Sequence, residues 1–292
     1  MEYHADRFPD ASLMVFRDDS LVALLPANRL GNTLQSHGGL TFGGLILGRQ
    51  MTTPRYLEVL AAVMTHLKEA GIDRVEYKPV PTIYHQYPAE EDRYALFLID
   101  AQCYRRDVTS VILPGRRLPL RKGRKSEISK ARRLGVVAEA TDRWAEFWEI
   151  LMENLRRKHD VAPAHTVDEI RLLQSRFPGN IHLFTASVNG RMQAGTVIYE
   201  TPCVAHTQYI GCSQEGQESG ALDFLLAQLI EQVYQDKPFF NFGISNENNG
   251  RFLNQGLIEF KEGFGARSIA SDAYVFNPRE VNLAALQADL RS

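Results

Sequence analysis

Cysteine is scarce in this chain: Cys103, Cys203 and Cys212 are the three in 292 residues. The count is odd and the spacing is not that of metal ligands, so the three read as reduced thiols of a cytoplasmic protein. No metal is expected. Long apolar runs are lacking too; none approaches the ~20 residues that span a bilayer. The start, MEYHADRFPDAS, is polar and does not read as a signal peptide. Net charge is −2, which gives no global attraction to nucleic acid or to a membrane surface. What is present is ordinary soluble composition, 44% hydrophobic and 23% charged. Such a chain forms one large domain or two of moderate size, with no membrane insertion.

The sequence repeats an order of elements. SLMVFRDDSLVALLPAN reads as strand, polar turn, strand. IHLFTASVNGRMQAGTVIYE reads the same way, turning at Asn189-Gly190, a strong hairpin signal. Each hairpin is followed by a further strand, GGLTFGGLIL and VAHTQYIGCS, and then by a helix. The first helix is TPRYLEVLAAVMTHLKEAG, with Thr53 as cap, Pro54 in the first turn and Gly71 at the stop. The second is SGALDFLLAQLIEQVYQ, whose Leu222, Leu225, Leu226, Leu229, Ile230 and Val233 keep helical spacing. The strands RVEYKPVP and PFFNFGIS follow. The doubling predicts two related halves, residues 1–115 and 116–292, the first lacking an opening strand and helix.

Between the halves positive charge is concentrated. From Arg116 to Arg133 nine basic residues face one acid, Glu127. Ser126 to Leu134 is expected to be a short helix. The run is either a solvated face or an anion site for phosphate or nucleic acid, with Arg124 and Lys125 as its candidates. Two helices follow, TDRWAEFWEILMENLRRKH and TVDEIRLLQSRF, the second with Thr166 and Glu169 spaced as a capping box. His165 precedes it and reads as a surface-loop histidine.

The segments RKSEISKARRLGV, FFNFGIS and GLIEFKEGFGA carry a resemblance. Their order resembles the GNAT acyltransferase fold, and the doubling resembles the Fem-type aminoacyltransferases. The resemblance covers about residues 12–276. It implies an α/β (α+β) architecture of two tandem GNAT-like folds, each a mixed sheet flanked by helices. It also implies transfer of an acetyl or aminoacyl group to an amino group, from acyl-CoA or from aminoacyl-tRNA. The acceptor implied is a small molecule, with a sugar or sugar-nucleotide of bacterial cell-surface polysaccharide biosynthesis as the leading case. The alternative is a non-catalytic nucleotide- or partner-binding module on degenerate GNAT folds.

Acyl-CoA enzymes of this class carry a glycine-rich turn before the main helix. Here that turn is EGQESGALDF. Gln217 and Gly220 match, Leu222 does not, and Glu215 and Glu218 add negative charge where a pyrophosphate would bind.

Acyl transfer to an amine needs a neutral nucleophile, a polarised carbonyl and a proton donor for the leaving group. In the resembled fold two parallel strands splay to admit the acyl group; here these are VAHTQYIGCS and FFNFGIS. Strict alternation puts His206, Gln208 and Ile210 on one side and Thr207 and Tyr209 on the other. His206 is a candidate base, Tyr209 a candidate proton donor, and Gln208 a substrate contact. The loop SNENNGRFLN contributes Glu247 as a candidate carboxylate base, with Asn246 and Asn248 as substrate contacts. Lys261, between Phe260 and Phe264, is read as a partly buried cation for an anion or a developing oxyanion. By the resemblance it faces the cleft where the related lysine meets phosphate or a reacting carbonyl. In the first half, Lys78, Tyr84, His85 and Tyr87 lie in a tyrosine-rich loop suited to sugar stacking, with Lys78 and Tyr84 as substrate-binding candidates.

Overall fold

The computed structural model describes residues 6–159 and 162–287. The chain is α/β and divides into two compact units. The first holds residues 1–107, 248–252 and 270–292; the second holds 108–247 and 253–269.

In the first unit the expected hairpin forms from Leu13–Arg17 and Ser20–Leu25, turning at Asp18 with φ +52°. Of GGLTFGGLIL only Ile46–Leu47 is strand, and it pairs with Ser20–Leu25. A second antiparallel pair, Asn28–Leu30 with Thr33–Gln35, replaces the expected third strand. Thr33–Gln35 runs parallel to Arg74–Tyr77, which pairs on its other side with Tyr274–Phe276. The helix Thr53–Glu69 covers this sheet through Tyr56, Leu57, Leu60, Met64 and Leu67, all buried. Its N-cap is Thr52 rather than Thr53, and it caps without a side-chain hydrogen bond. The tyrosine-rich segment is not all loop: Glu91–Leu98 is a helix, starting with two acids where the helix dipole favours them.

The second unit is built on six strands in the order Val137–Thr141, Ile181–Val188, Arg191–Glu200, Val204–Cys212, Phe239–Ile244 and the end of Gln102–Ile112. All neighbours are antiparallel except Val204–Cys212 with Phe239–Ile244. One core joins the helix Ala221–Gln228 to the sheet through Leu225, Leu226, Ile198, Phe240 and Phe264. A second core joins the helices Trp144–His159 and Val167–Arg176 through Trp144, Phe147, Trp148, Ile170 and Val197. The capping box of Thr166 and Glu169 is formed in both directions. The basic helix runs over Lys122–Arg133, a turn longer at its start than the charge pattern suggests.

Among the described residues no helix is long and apolar enough to cross a membrane. Nor do the described residues contain a group of three or more His, Cys, Asp or Glu side chains able to hold a metal ion.

Candidate active site

The two parallel strands of the second unit pair over three residues only: Val204, Ala205 and His206 with Phe239, Phe240 and Asn241. Beyond His206 and Asn241 they separate, as the resembled fold requires. Each has an irregularity at that point. Opposite Arg191–Glu200, His206 faces Tyr199, Thr207 faces Ile198, and Tyr209 faces Val197, so Gln208 is an extra, bulged residue. The bulge breaks the alternation. Directly opposed residues share a face, and Tyr199 and Val197 share one, so His206 and Tyr209 lie on the same side of the sheet. Strict alternation had put them on opposite sides; one inserted residue reverses that.

The other strand bulges at Gly243, against the strand that ends at Ile112. Gly243 has φ +73°, a conformation that only glycine adopts cheaply. A Cβ there would stand 3.3 Å from His206 Cε1. The bulge turns two carbonyls toward Lys261. Lys261 lies on the helix Gln255–Glu262 and is buried. Its Nζ donates to the oxygens of Gly243 at 3.1 Å and Ile244 at 2.5 Å. Burial pulls its pKa down to about 7. Phe260 and Phe264 flank it in sequence and also meet Arg124. Both rings lie under the Arg124 guanidinium, at 4.7 and 5.6 Å.

His206 is driven down to about pKa 4, first by burial and then by the charge of Lys261. Hydrogen bonding to Gln208 and to the Asn241 backbone opposes this. Its Nδ1 is buried and has no hydrogen-bond partner among the described residues. A ring held so far below neutrality is a weak base, so its chemistry is that of a neutral imidazole. Tyr209 keeps its proton, its pKa raised by burial. Its hydroxyl is hydrogen-bonded to Nδ1 of His165, and its ring stands edge-on to Trp148. His165 is therefore part of the site's wall. No local pattern marks it, because the contact spans 44 positions.

The basic helix sorts its charges. Arg117, Arg121, Arg124 and Lys130 are ion-paired, with Glu231, Glu262, Asp223 and Glu127. Arg124 is only partly exposed; its pair with Asp223 (2.5 Å) and its two aromatic rings leave it no role as a free anion ligand. Lys122, Lys125, Arg132 and Arg133 are exposed and have no acidic partner among the described residues. With Ser126 and Ser129 they line a shallow groove along one helix face.

The glycine-rich turn is not an open loop. Gln214–Ser219 is a short helix, and Gln217 is exposed on it. Gly220 follows with φ +74°, buried against the basic helix; a Cβ would meet the Glu127 carbonyl oxygen at 2.5 Å. The glycine serves helix packing.

The polar loop is mainly structural. Asn246 is buried and its Oδ1 accepts from Val108 N at 2.6 Å, which is a backbone clamp rather than a substrate contact. Glu247 is exposed and accepts from Asn254, the N-cap of the Lys261 helix. Asn248 has φ +50° in the turn that follows. In the first unit Lys78 donates to the carbonyls of His37 and Leu40, and burial lowers its pKa to about 8. It ties down a glycine loop. Tyr84 packs on Phe42, ring centroids 4.6 Å apart, and lines a pocket.

Residues 119–261 match the family model of the GNAT acetyltransferase domain. This part of the chain is similar to GNAT acetyltransferase domains. The splayed strands, the bulge at Gln208 and the main helix all lie within the match. FemX has the same fold at TM-score 0.64 and 10% identity, over 98% of this chain and 91% of that one. L-PGS from Bacillus licheniformis does so at TM-score 0.64 and 14% identity, over 98% and 93%. A third is the C-terminal domain of a putative lysylphosphatidylglycerol synthetase from Agrobacterium fabrum, at TM-score 0.61 and 11% identity, over 96% and 86%. At these identities the likeness is one of fold. No curated protein matches the chain in sequence.

Proposed function

We propose that the chain is an N-acyltransferase whose reacting groups meet where the two strands part. The observation that carries the reading is the Lys261 ammonium, buried at the open end of the splay and held by two carbonyls. Attack of a neutral amine on an acyl carbonyl forms a C–N bond and puts negative charge on the carbonyl oxygen. The Lys261 charge, in a site of low polarity, stabilises that oxyanion. Neutral His206 offers Nδ1 to an N–H of the attacking amine. Collapse of that oxyanion breaks the bond from the acyl carbon to the leaving oxygen or sulfur; Tyr209, which holds its proton at neutral pH, protonates the leaving atom and is restored by the proton the amine gives up, while His165 fixes its hydroxyl. Glu247 serves at the rim of the site.

Two features favour aminoacyl-tRNA over acyl-CoA as donor. The Gly220 turn is packed against the Glu127 backbone of the basic helix, and the nearby Glu218 adds negative charge, which opposes a pyrophosphate there. The unpaired cations Lys122, Lys125, Arg132 and Arg133 form a stripe suited to a phosphate backbone. The acceptor is an amino-bearing small molecule, with an amino sugar or sugar-nucleotide the leading class. The doubled element order fits an internal duplication of one fold.

The test offers the purified protein charged tRNA or acyl-CoAs in turn, with a panel of amines, and follows labelled acyl transfer. Transfer from charged tRNA that weakens with salt and with Lys125→Ala is expected. Transfer from acyl-CoA alone would reverse the donor assignment. Tight ligand binding without transfer from any donor would favour a binding module.

A further inference from the structure

A pocket of about 480 Å³ lies wholly within the first unit, in the size range of small-molecule sites. Its inner wall is apolar, from Leu45, Leu47, Met51 and Val80. Tyr84 and Tyr87 line it as well, and Tyr87 is 59% exposed, with Arg49 lying 5.8 Å over its ring. A large tyrosine left in water beside an apolar pocket is a stacking surface in want of a ligand.

The polar part of the lining has one sign in excess. Glu91 and Asp92 begin the helix Glu91–Leu98 and both line the pocket, against the single guanidinium of Arg49. Arg93, the nearest cation in sequence, is turned away to Glu90 at 3.0 Å. Glu91 Oε2 is buried and accepts no hydrogen bond among the described residues. A buried carboxylate oxygen without a donor is costly unless something supplies one. Asp92 is also short of donors: it accepts from its neighbour's backbone at 2.7 Å and from the Tyr77 hydroxyl at 3.5 Å. Burial raises its pKa to about 6, outweighing the backbone hydrogen bond and the charge of Arg93.

From this cavity, its exposed tyrosine and its unpaired carboxylate oxygen, we infer that the first unit binds a small hydroxylated primary ammonium compound of the amino-sugar class. The ammonium goes to Glu91 and Asp92, and the ring lies against Tyr87. His85, Gln86 and Arg49 stand around the pocket as partners for hydroxyls. The inference goes beyond the acyl-transfer reading and does not need it, because binding is measured directly.

The experiment is calorimetric titration of the full chain with glucosamine, N-acetylglucosamine and glucose at pH 7.5 (three probes that differ chiefly in the charged nitrogen). Saturable binding of glucosamine is expected, with the two neutral sugars about tenfold to a hundredfold weaker. Glu91→Gln should lose a similar factor. Tyr87→Ala, an exposed change that leaves the fold intact, should also weaken binding. Lys261→Met should bind like wild type, which separates this site from the acyl-transfer site. Absence of saturable glucosamine binding, or equal binding of all three sugars, overturns the inference, as does wild-type affinity in both Glu91→Gln and Tyr87→Ala.

Discussion

Lys261 Nζ stands 2.5 Å from the carbonyl oxygen of Ile244, so a helix lysine is tethered to the end of the strand whose divergence opens the site. Burial lowers its pKa from an ordinary 10.5 to about 7. Between those values the unfolded chain holds a proton that the folded chain has lost. Stability therefore rises with pH across that window and is flat in this respect below it. The difference in unfolding free energy between wild type and Lys261→Met should grow in favour of wild type from pH 7 to pH 10. Urea titrations at several pH values measure it. A pH-independent difference would show that the lysine is not desolvated.

His206 gives the same sign in another range. Its pKa falls from 6.5 to about 4 on folding. The unfolded state is thus the more protonated between those values, and acidification through that range removes stability. His206→Gln should flatten the acid limb of the stability curve between pH 6.5 and 4 while leaving the neutral plateau nearly unchanged. An unaltered acid limb would mean that the ring is solvated.

Two neighbours in the basic run should behave differently. Arg124→Ala breaks the partly buried pair with Asp223 and removes the guanidinium from two rings, a loss of about 2–4 kcal/mol. Lys125→Ala removes an exposed, unpaired charge and should cost under about 0.5 kcal/mol. Thermal unfolding of both beside wild type decides this. Equal effects would contradict the division of charges along this helix.

Gly220→Ala should destabilise the second unit by about 1–3 kcal/mol, because φ is +74° and the added methyl meets the Glu127 carbonyl. Denaturant titration reads the loss. Near-wild-type stability together with a loss of CoA affinity would instead make the turn a ligand loop.

Much of this was legible in the chain. The Asn189-Gly190 turn and the capping box at Thr166 follow from local spacing, and each formed as read; the stripe Leu222 to Val233 holds only in part, since the α-helix stops at Gln228, Leu229–Val233 is a π turn and Val233 is exposed. The parallel pair, which the resemblance implied, formed as well. The failures have a common physical origin. The bulge at Gln208 is a property of register with a neighbouring strand, so alternation within one strand misplaced Tyr209 relative to His206. Lys261 is flanked in sequence by Phe260 and Phe264, and only the fold shows that Arg124, far off in sequence, lies over both rings. Gly220 fitted a ligand turn by type, and only the approach of another helix shows what its missing side chain accommodates. His165 and Glu91 matter through contacts, or the lack of them, that no local pattern announces.

The central claim is that Lys261 stabilises charge formed during acyl transfer. The direct measurement is the single-turnover rate of labelled acyl transfer to an amine acceptor by wild type, Lys261→Met and Lys261→Arg, each checked for an intact unfolding transition. Losing one charge-assisted interaction of roughly 1.5–3 kcal/mol predicts a rate about tenfold to a hundredfold lower for Lys261→Met. Lys261→Arg should recover only part, since the planar guanidinium does not fit a site built by two carbonyls around a compact ammonium. A Lys261→Met protein that folds and transfers at the wild-type rate would contradict the account.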